Sequence, residues 1–184
     1  MNHRSGGILY SSFDTNRLNV NKTNVFENVG CGVISKGLGE VIMEDNLIEK
    51  INGVGIKIIG SKKISIVGNK IIENAFNGSE FINCDGLIML NSCYKNKGCG
   101  ILLEAENKGE FNAKVMKNLV IENVKNGIII QGEGNEARVL QNEKIACNNL
   151  AGICVRNKAH PTIQDNTIFE NMHQVHYVNF IILL

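Results

Sequence analysis

Few side chains in this chain could carry acid–base chemistry, and the first question is whether their spacing lets them meet. The aspartates are Asp14, Asp45, Asp85 and Asp165. Lyases, hydrolases and epimerases of polysaccharides need such carboxylates to converge, or to stand beside Arg, Lys or a metal ion. Asp45 and Asp165 occupy the same position of repeats five turns apart, about 24 Å at β-strand spacing. Asp14 and Asp85 fall at other positions, so no pair converges. The six cysteines, Cys31, Cys84, Cys93, Cys99, Cys147 and Cys154, form no CxxC pair and match no histidine spacing. Neither zinc nor a disulfide framework is expected, and the thiols read as small buried hydrophobes. No catalytic residue, cofactor or metal is assigned. The chain has no Trp and three Tyr, which leaves few flat platforms for stacking sugars.

Composition narrows the class. A length of 184 residues with 43% hydrophobic side chains suits one domain with a continuous core, spanning 1–184. A net charge of +1 excludes a nucleic-acid binder that works through a basic face. The first residues lack an apolar run with a small-residue cleavage site, so an intracellular protein is expected. The terminal Asn-Phe-Ile-Ile-Leu-Leu is far too short to cross a membrane.

The elements that must position any site emerge from a repeat. The stretch GIKIIGSKKISIVGNKIIEN, residues 55–74, serves as its template. Aligning Thr23, Asn46, Asn69, Asn91, Asn118, Glu143 and Asn166 gives steps of 23, 23, 22, 27, 25 and 23 residues. Two residues further on stands a nearly all-apolar column, Val25, Ile48, Ile71, Cys93, Val120, Ile145 and Ile168. Five residues after each anchor stands Asn28, Ile51, Asn74, Asn96, Asn123, Asn148 or Asn171. Each pass opens on Gly-Ile or Gly-Val, as at Gly32, Gly55, Gly100, Gly127 and Gly152, except one pass between Gly55 and Gly100. This repetition argues against a phosphate-binding loop.

Alternating pairs such as Ile64 and Ile66 mark strands with one buried face. Three short strands cannot bury an inner face alone, but stacked units can. The fold predicted is therefore all-β: a right-handed parallel β-helix of about seven coils with a period of about 23 residues, roughly 30–35 Å long. The Asn column is expected to stack by side-chain hydrogen bonds and to supply left-handed turns, with the glycines at tight corners of positive φ. Residues 172–184 are expected to be irregular, leaving an uncapped end open to end-to-end self-association.

Residues 132–171, GEGNEARVLQNEKIACNNLAGICVRNKAHPTIQDNTIFEN, resemble the β-helix repeats of F-box-only ubiquitin-ligase receptors, the CASH domain. Residues 37–74 resemble the same unit, and Pro161 matches the family's corner proline, with His160 before it. The shared positions are mostly fold-forming. The resemblance implies a non-enzymatic recognition or scaffold module with a protein partner, possible as the substrate receptor of an F-box-type ligase, although no F-box is visible. The alternatives are a carbohydrate-active β-helix or a structural component of a larger assembly.

Spacing stretches at two insertions after Gly-Ile strands, and these should project from one corner of neighbouring coils as a binding face. The residues concerned are Glu104, Glu106, Lys108 and Glu110 in the first, and Gln131, Glu133 and Glu136 in the second. A further column, Glu27, Lys50, Glu73, Lys95 and Glu122, alternates in sign and should form a solvated stabilising stripe. Reversing its charge with Glu73→Lys is expected to lower the melting temperature slightly, because exposed pairs contribute only about 0–1 kcal/mol. An unchanged melting temperature would argue against this stacking.

Overall fold

The computed structural model describes residues 6–12, 16–106 and 111–177. Every regular element among them is a β-strand, and the strands form three parallel sheets. Each pass contributes one strand to each sheet. One pass runs through Ile56–Ile59 in sheet A, Ile64–Val67 in sheet B and Lys70–Ile72 in sheet C, then re-enters sheet A at Ser79–Ile82. Sheet A has eight strands and sheets B and C seven each, which makes the expected β-helix of about seven turns.

Alternation decides which side chains go inside. In Ile56–Ile59 the first and third residues are buried while Lys57 and Ile59 face outward. Stacking aligns the inward positions into columns, such as Val33, Ile56, Ile101, Ile128 and Ile153, which have no exposed surface. Each buried aliphatic side chain of this size contributes about 1.5–3 kcal/mol. The columns of all three sheets merge into one core along the axis.

The corners hold two Asn ladders rather than one. The first runs Asn46, Asn69, Asn91, Asn118, Asn142 and Asn166, and the second Asn74, Asn96, Asn123, Asn148 and Asn171. In each, the main-chain N–H and the side-chain Nδ2 of one Asn both donate to the Oδ1 of the next. At Asn96 the distances to Asn123 are 3.2 and 3.0 Å. The same Nδ2 also reaches back to a carbonyl of the preceding coil, Ile71 O for Asn96, at 3.1 Å.

Several expectations are corrected by this geometry. The ladder asparagines do not supply the left-handed backbone; the residue before each does, at φ of 55° to 57° for Glu73, Lys95, Glu122 and Cys147, and Lys50 before Ile51 does the same at 51°. The charge-alternating column is therefore a column of left-handed corners. Its closest ion-pair approach is loose, Lys95 Nζ to Glu122 Oε2 at 4.0 Å. Glu143 is not the sixth anchor. Asn142 takes the ladder position, and Glu143 is one extra residue before Ile145 regains register with Val120.

The Gly-Ile glycines do not have positive φ. A Cβ at Gly32, Gly55, Gly78, Gly100 or Gly127 would lie 2.5–2.9 Å from the carbonyl oxygen of the corresponding glycine one turn on. Close approach is their reason. The irregular pass keeps this glycine as Gly78 and loses only the isoleucine, since Ser79 pairs with both Ile56 and Ile101. Within the stretch expected to be irregular, His173–Tyr177 forms a strand parallel to Ala151–Arg156.

The ladder gives a direct test. Asn123 is fully buried, and Asn123→Ala removes four side-chain hydrogen bonds, to Asn96 N, Asn96 Nδ2, Cys93 O and Asn148 Oδ1. Orphaned buried polar groups cost about 1–3 kcal/mol each, so urea denaturation should show a loss of about 3 kcal/mol or more. A loss well under about 1 kcal/mol would contradict a structural role for the ladder.

Candidate functional site

Outward positions of sheet A gather the polar groups that the core excludes. Two outward rows run along this sheet. One holds Ile34, Lys57, Glu80, Leu102, Ile129 and Cys154, and the other Lys36, Ile59, Ile82, Glu104, Gln131 and Arg156. Charged side chains thus stand on strands whose neighbours are mostly aliphatic, and Lys57, Glu80, Glu104 and Arg156 each have a partner on an adjacent coil.

In the first row Lys57 Nζ lies 2.7 Å from Glu80 Oε2, and Asn77 Nδ2 donates to Glu80 Oε1 at 2.8 Å. Glu80 is only 8% exposed, so its carboxylate needs both donors. Burial pulls the Lys57 ammonium down, but the hydrogen bond and charge of Glu80 outweigh it and leave its pKa raised. In the second row Gln131 Nε2 donates to Glu104 Oε1 at 2.5 Å, while Arg156 Nε donates to Gln131 Oε1 at 2.6 Å. A guanidinium can only donate and a carboxylate only accepts, so the Gln131 amide has one workable orientation. Arg156 is half-buried and uses its Nε on Gln131; its terminal nitrogens bond to no other side chain among the described residues.

The expected loop face is partly assembled here. Its two insertions do stack: Phe111 bridges to Asn135, and the main chain bonds Phe111 N to Gly134 O and Glu136 N to Phe111 O. Of the expected residues, Glu104 and Gln131 meet on sheet A. Glu106, Glu133 and Glu136 are exposed on the insertions, with Glu133 3.6 Å from Lys158. Lys108 and Glu110 lie outside the described residues, as does Asp14. Asp85 is a structural anchor, accepting the Asn112 N–H and lying 3.3 Å from Lys62 Nζ, which sits over the Phe111 ring. Asp45 and Asp165 are both left-handed corners five coils apart, as their spacing implies.

Lys57, Glu80 and Arg156 were not among the expected site residues. Their signal is positional: they are charged residues two or four places after a ladder glycine, where the strand points outward. Four of the six thiols, Cys84, Cys93, Cys99 and Cys154, are buried. Burial pushes Cys84 and Cys93 up to about 12, and it raises Cys99 and Cys154 as well, so all four stay protonated at neutral pH. Cys99 and Cys154 pack with Leu102, Ile129 and Ala151 into a small apolar cluster on the outer side of sheet A. No group of three or more His, Cys, Asp or Glu among the described residues could hold a metal ion. A shallow depression of about 220 Å³ on the outer face of sheet C is lined by Tyr94, Leu119, Ile121 and the loose Lys95–Glu122 pair.

Comparison with known proteins identifies the architecture. The periplasmic alginate epimerase AlgG is similar in fold, with a TM-score of 0.71 at 17% identity over 95% of this chain and 48% of that one. The A-module of the Azotobacter vinelandii mannuronan C-5 epimerase AlgE6 is similar at a TM-score of 0.69 and 14% identity, over 88% of this chain and 52% of that one. The chain thus spans about half the length of these structures, and at such identities the likeness concerns the fold. No curated protein matches in sequence. The family model described as "right handed beta helix region" matches residues 1–143, and on that match this chain belongs to the right-handed β-helix family.

Proposed function

We propose that this chain is a carbohydrate-engaging β-helix that lays an acidic polysaccharide along the outer face of sheet A. The observation that carries the reading is Arg156, a guanidinium held in place through Nε by Gln131, whose terminal nitrogens bond to no other side chain among the described residues. Such a fork matches a carboxylate in bidentate geometry, and preorganisation by Gln131 lowers the cost of binding. Lys57, four coils away on the same face and about 19 Å along the axis, is paired with Glu80 at 2.7 Å and offers only its remaining ammonium hydrogens as a second contact. An extended polyuronate running parallel to the axis would reach both. The similar folds of an alginate epimerase and a mannuronan C-5 epimerase support this class of ligand.

The geometry favours binding over turnover. Epimerisation beside a carboxylate needs a base, an acid and a carboxylate clamp around one sugar ring. Glu104 and Arg156 lie two coils apart, about 10 Å, with Gln131 between them, which is too far to act on one ring. The function proposed is the glycan-binding part of a carbohydrate-active protein.

A protein partner, as the F-box-type resemblance implies, is favoured by a different observation. Val29, Phe76, Val124, Leu150 and Met172 are 40–69% exposed, and all lie one or two residues after a ladder position, on the corner leading into sheet A. Contact through this corner would leave Arg156 uninvolved.

Calorimetric titration separates the two. Oligouronates should bind, neutral oligosaccharides of the same length should not, and added salt should weaken binding. Arg156→Met should reduce affinity about tenfold, or about 1.4 kcal/mol, with the chain still folded and its melting temperature lowered slightly because the Gln131 oxygen loses its donor. Equal binding of neutral and acidic oligosaccharides, or an Arg156→Met variant of unaltered affinity, would overturn the proposal. Proton exchange at C5 of the oligouronate, followed by NMR, would overturn the restriction to binding.

A further inference from the structure

We propose that Asn52 is a site of spontaneous covalent modification, where the peptide nitrogen of Gly53 converts the side-chain amide to an aspartate or isoaspartate. The inference is independent of the glycan reading and rests on a contrast within the chain. Asn-Gly is the dipeptide in which this reaction meets least obstruction, because glycine has no side chain to shield its nitrogen. The sequence contains three: Asn52–Gly53, Asn77–Gly78 and Asn126–Gly127.

Two of the three are locked. Asn77 Oδ1 accepts the Cys99 N–H at 2.8 Å, its Nδ2 donates to Glu80, and the Gly78 N–H donates to Cys99 O at 2.8 Å. Asn126 Oδ1 accepts the Ala151 N–H at 3.0 Å, and the Gly127 N–H donates to Ala151 O at 2.9 Å. In both, the amide carbon under attack and the attacking nitrogen are pinned to the next coil. Asn52 is exposed, and neither its side-chain amide nor the Gly53 N–H hydrogen-bonds to any group among the described residues. Only its own main-chain N–H is held, by Asn28 O at 2.8 Å.

The repeat explains the difference. Gly78 and Gly127 are ladder glycines, so the Asn before each stands where its side chain caps the following coil. In the pass containing Asn52 the ladder glycine is Gly55, and Val54 takes the capping position, donating no side-chain bond. Asn52–Gly53 therefore falls two residues early, on the solvent side of the corner.

The reaction balances without a co-reactant other than water. The Gly53 nitrogen gives its proton to solvent and bonds to Asn52 Cγ, and ammonia leaves with the former Nδ2, forming a cyclic imide. Water then opens the imide at either carbonyl. Opening at the main-chain carbonyl reroutes the backbone through the side chain and inserts one methylene between Ile51 and Gly53. The carbonyls of those two residues accept the Ala75 and Phe76 N–H groups at 2.8 and 3.2 Å, so the insertion falls between two bonds that seat the next coil and its exposed Phe76.

Peptide mapping by mass spectrometry tests this on the full chain. The folded protein is aged in mildly alkaline buffer, in parallel with the same protein in urea. Folded, the Asn52 peptide should convert at least about tenfold faster than the Asn77 and Asn126 peptides, the scale of one lost hydrogen bond. In urea the three rates should converge. Asn52→Gln, on an exposed side chain, should abolish the folded-state conversion and keep the melting temperature. Equal rates at all three sites in the folded protein, or an Asn52 that converts in urea but not in the fold, would overturn the inference.

Discussion

The structure depends on one repeated interaction: a buried Asn side chain that accepts two hydrogen bonds from the Asn one coil before it. At a corner the chain leaves one sheet for the next, and its main-chain N–H groups lose their strand partners. A buried unpaired N–H costs as much as a lost hydrogen bond, so the corner needs an acceptor from outside the sheets. The Oδ1 of the next coil's Asn supplies it, as Asn148 does for Asn123, and the same Asn's Nδ2 donates to a carbonyl further back, Val120 O for Asn148. Because every acceptor comes from a neighbouring coil, no coil is complete alone. Stability is then the sum of nearest-neighbour contacts, as in other solenoids.

That constraint also explains where variation is tolerated. Inward positions are mostly aliphatic, ladder corners take a left-handed residue followed by Asn, and the entry to sheet A is glycine, as at Gly32, Gly55, Gly78, Gly100 and Gly127, to admit the next coil's carbonyl. Outward positions of the strands carry none of these demands. Sheet A uses that freedom to place Lys57, Glu80, Glu104, Gln131 and Arg156 on one face, each paired across coils. A rigid row with a fixed rise suits an extended ligand better than a compact one, since each coil repeats the same geometry. In the proposed reading a ligand would meet that row at Arg156, whose terminal nitrogens bond to no other side chain among the described residues.

Much of the fold was legible because its rules are periodic. The apolar columns, the Asn steps and the number of coils follow from spacing, and the stacked columns reproduce them. The misreadings are local, and each has a physical origin. Glu143 was aligned by strand register, but the ladder follows hydrogen bonding and chose Asn142, tolerating one extra residue. The glycine column was read as a matter of φ, when what it needs is the absence of a Cβ. The two insertions were legible because they interrupt the period, and they stack through Phe111 and Asn135. Arg156 and Lys57 keep the period, so they show only as charges at outward positions, a signal that needs the strand's facing to be known first.

Native-state hydrogen exchange tests the central claim most directly. The main-chain N–H groups of Asn69, Asn91, Asn96, Asn118 and Asn123 lie outside the sheets, yet each donates to a buried side-chain oxygen. If the ladders bind the coils together, these amides belong to the slowest-exchanging class, with those of Ile58 and Leu103 in the middle of sheet A. Exchange of the Asn amides at rates typical of surface loops, while the strand amides stay protected, would show that the sheets and core hold the coils without the ladders and would contradict this account.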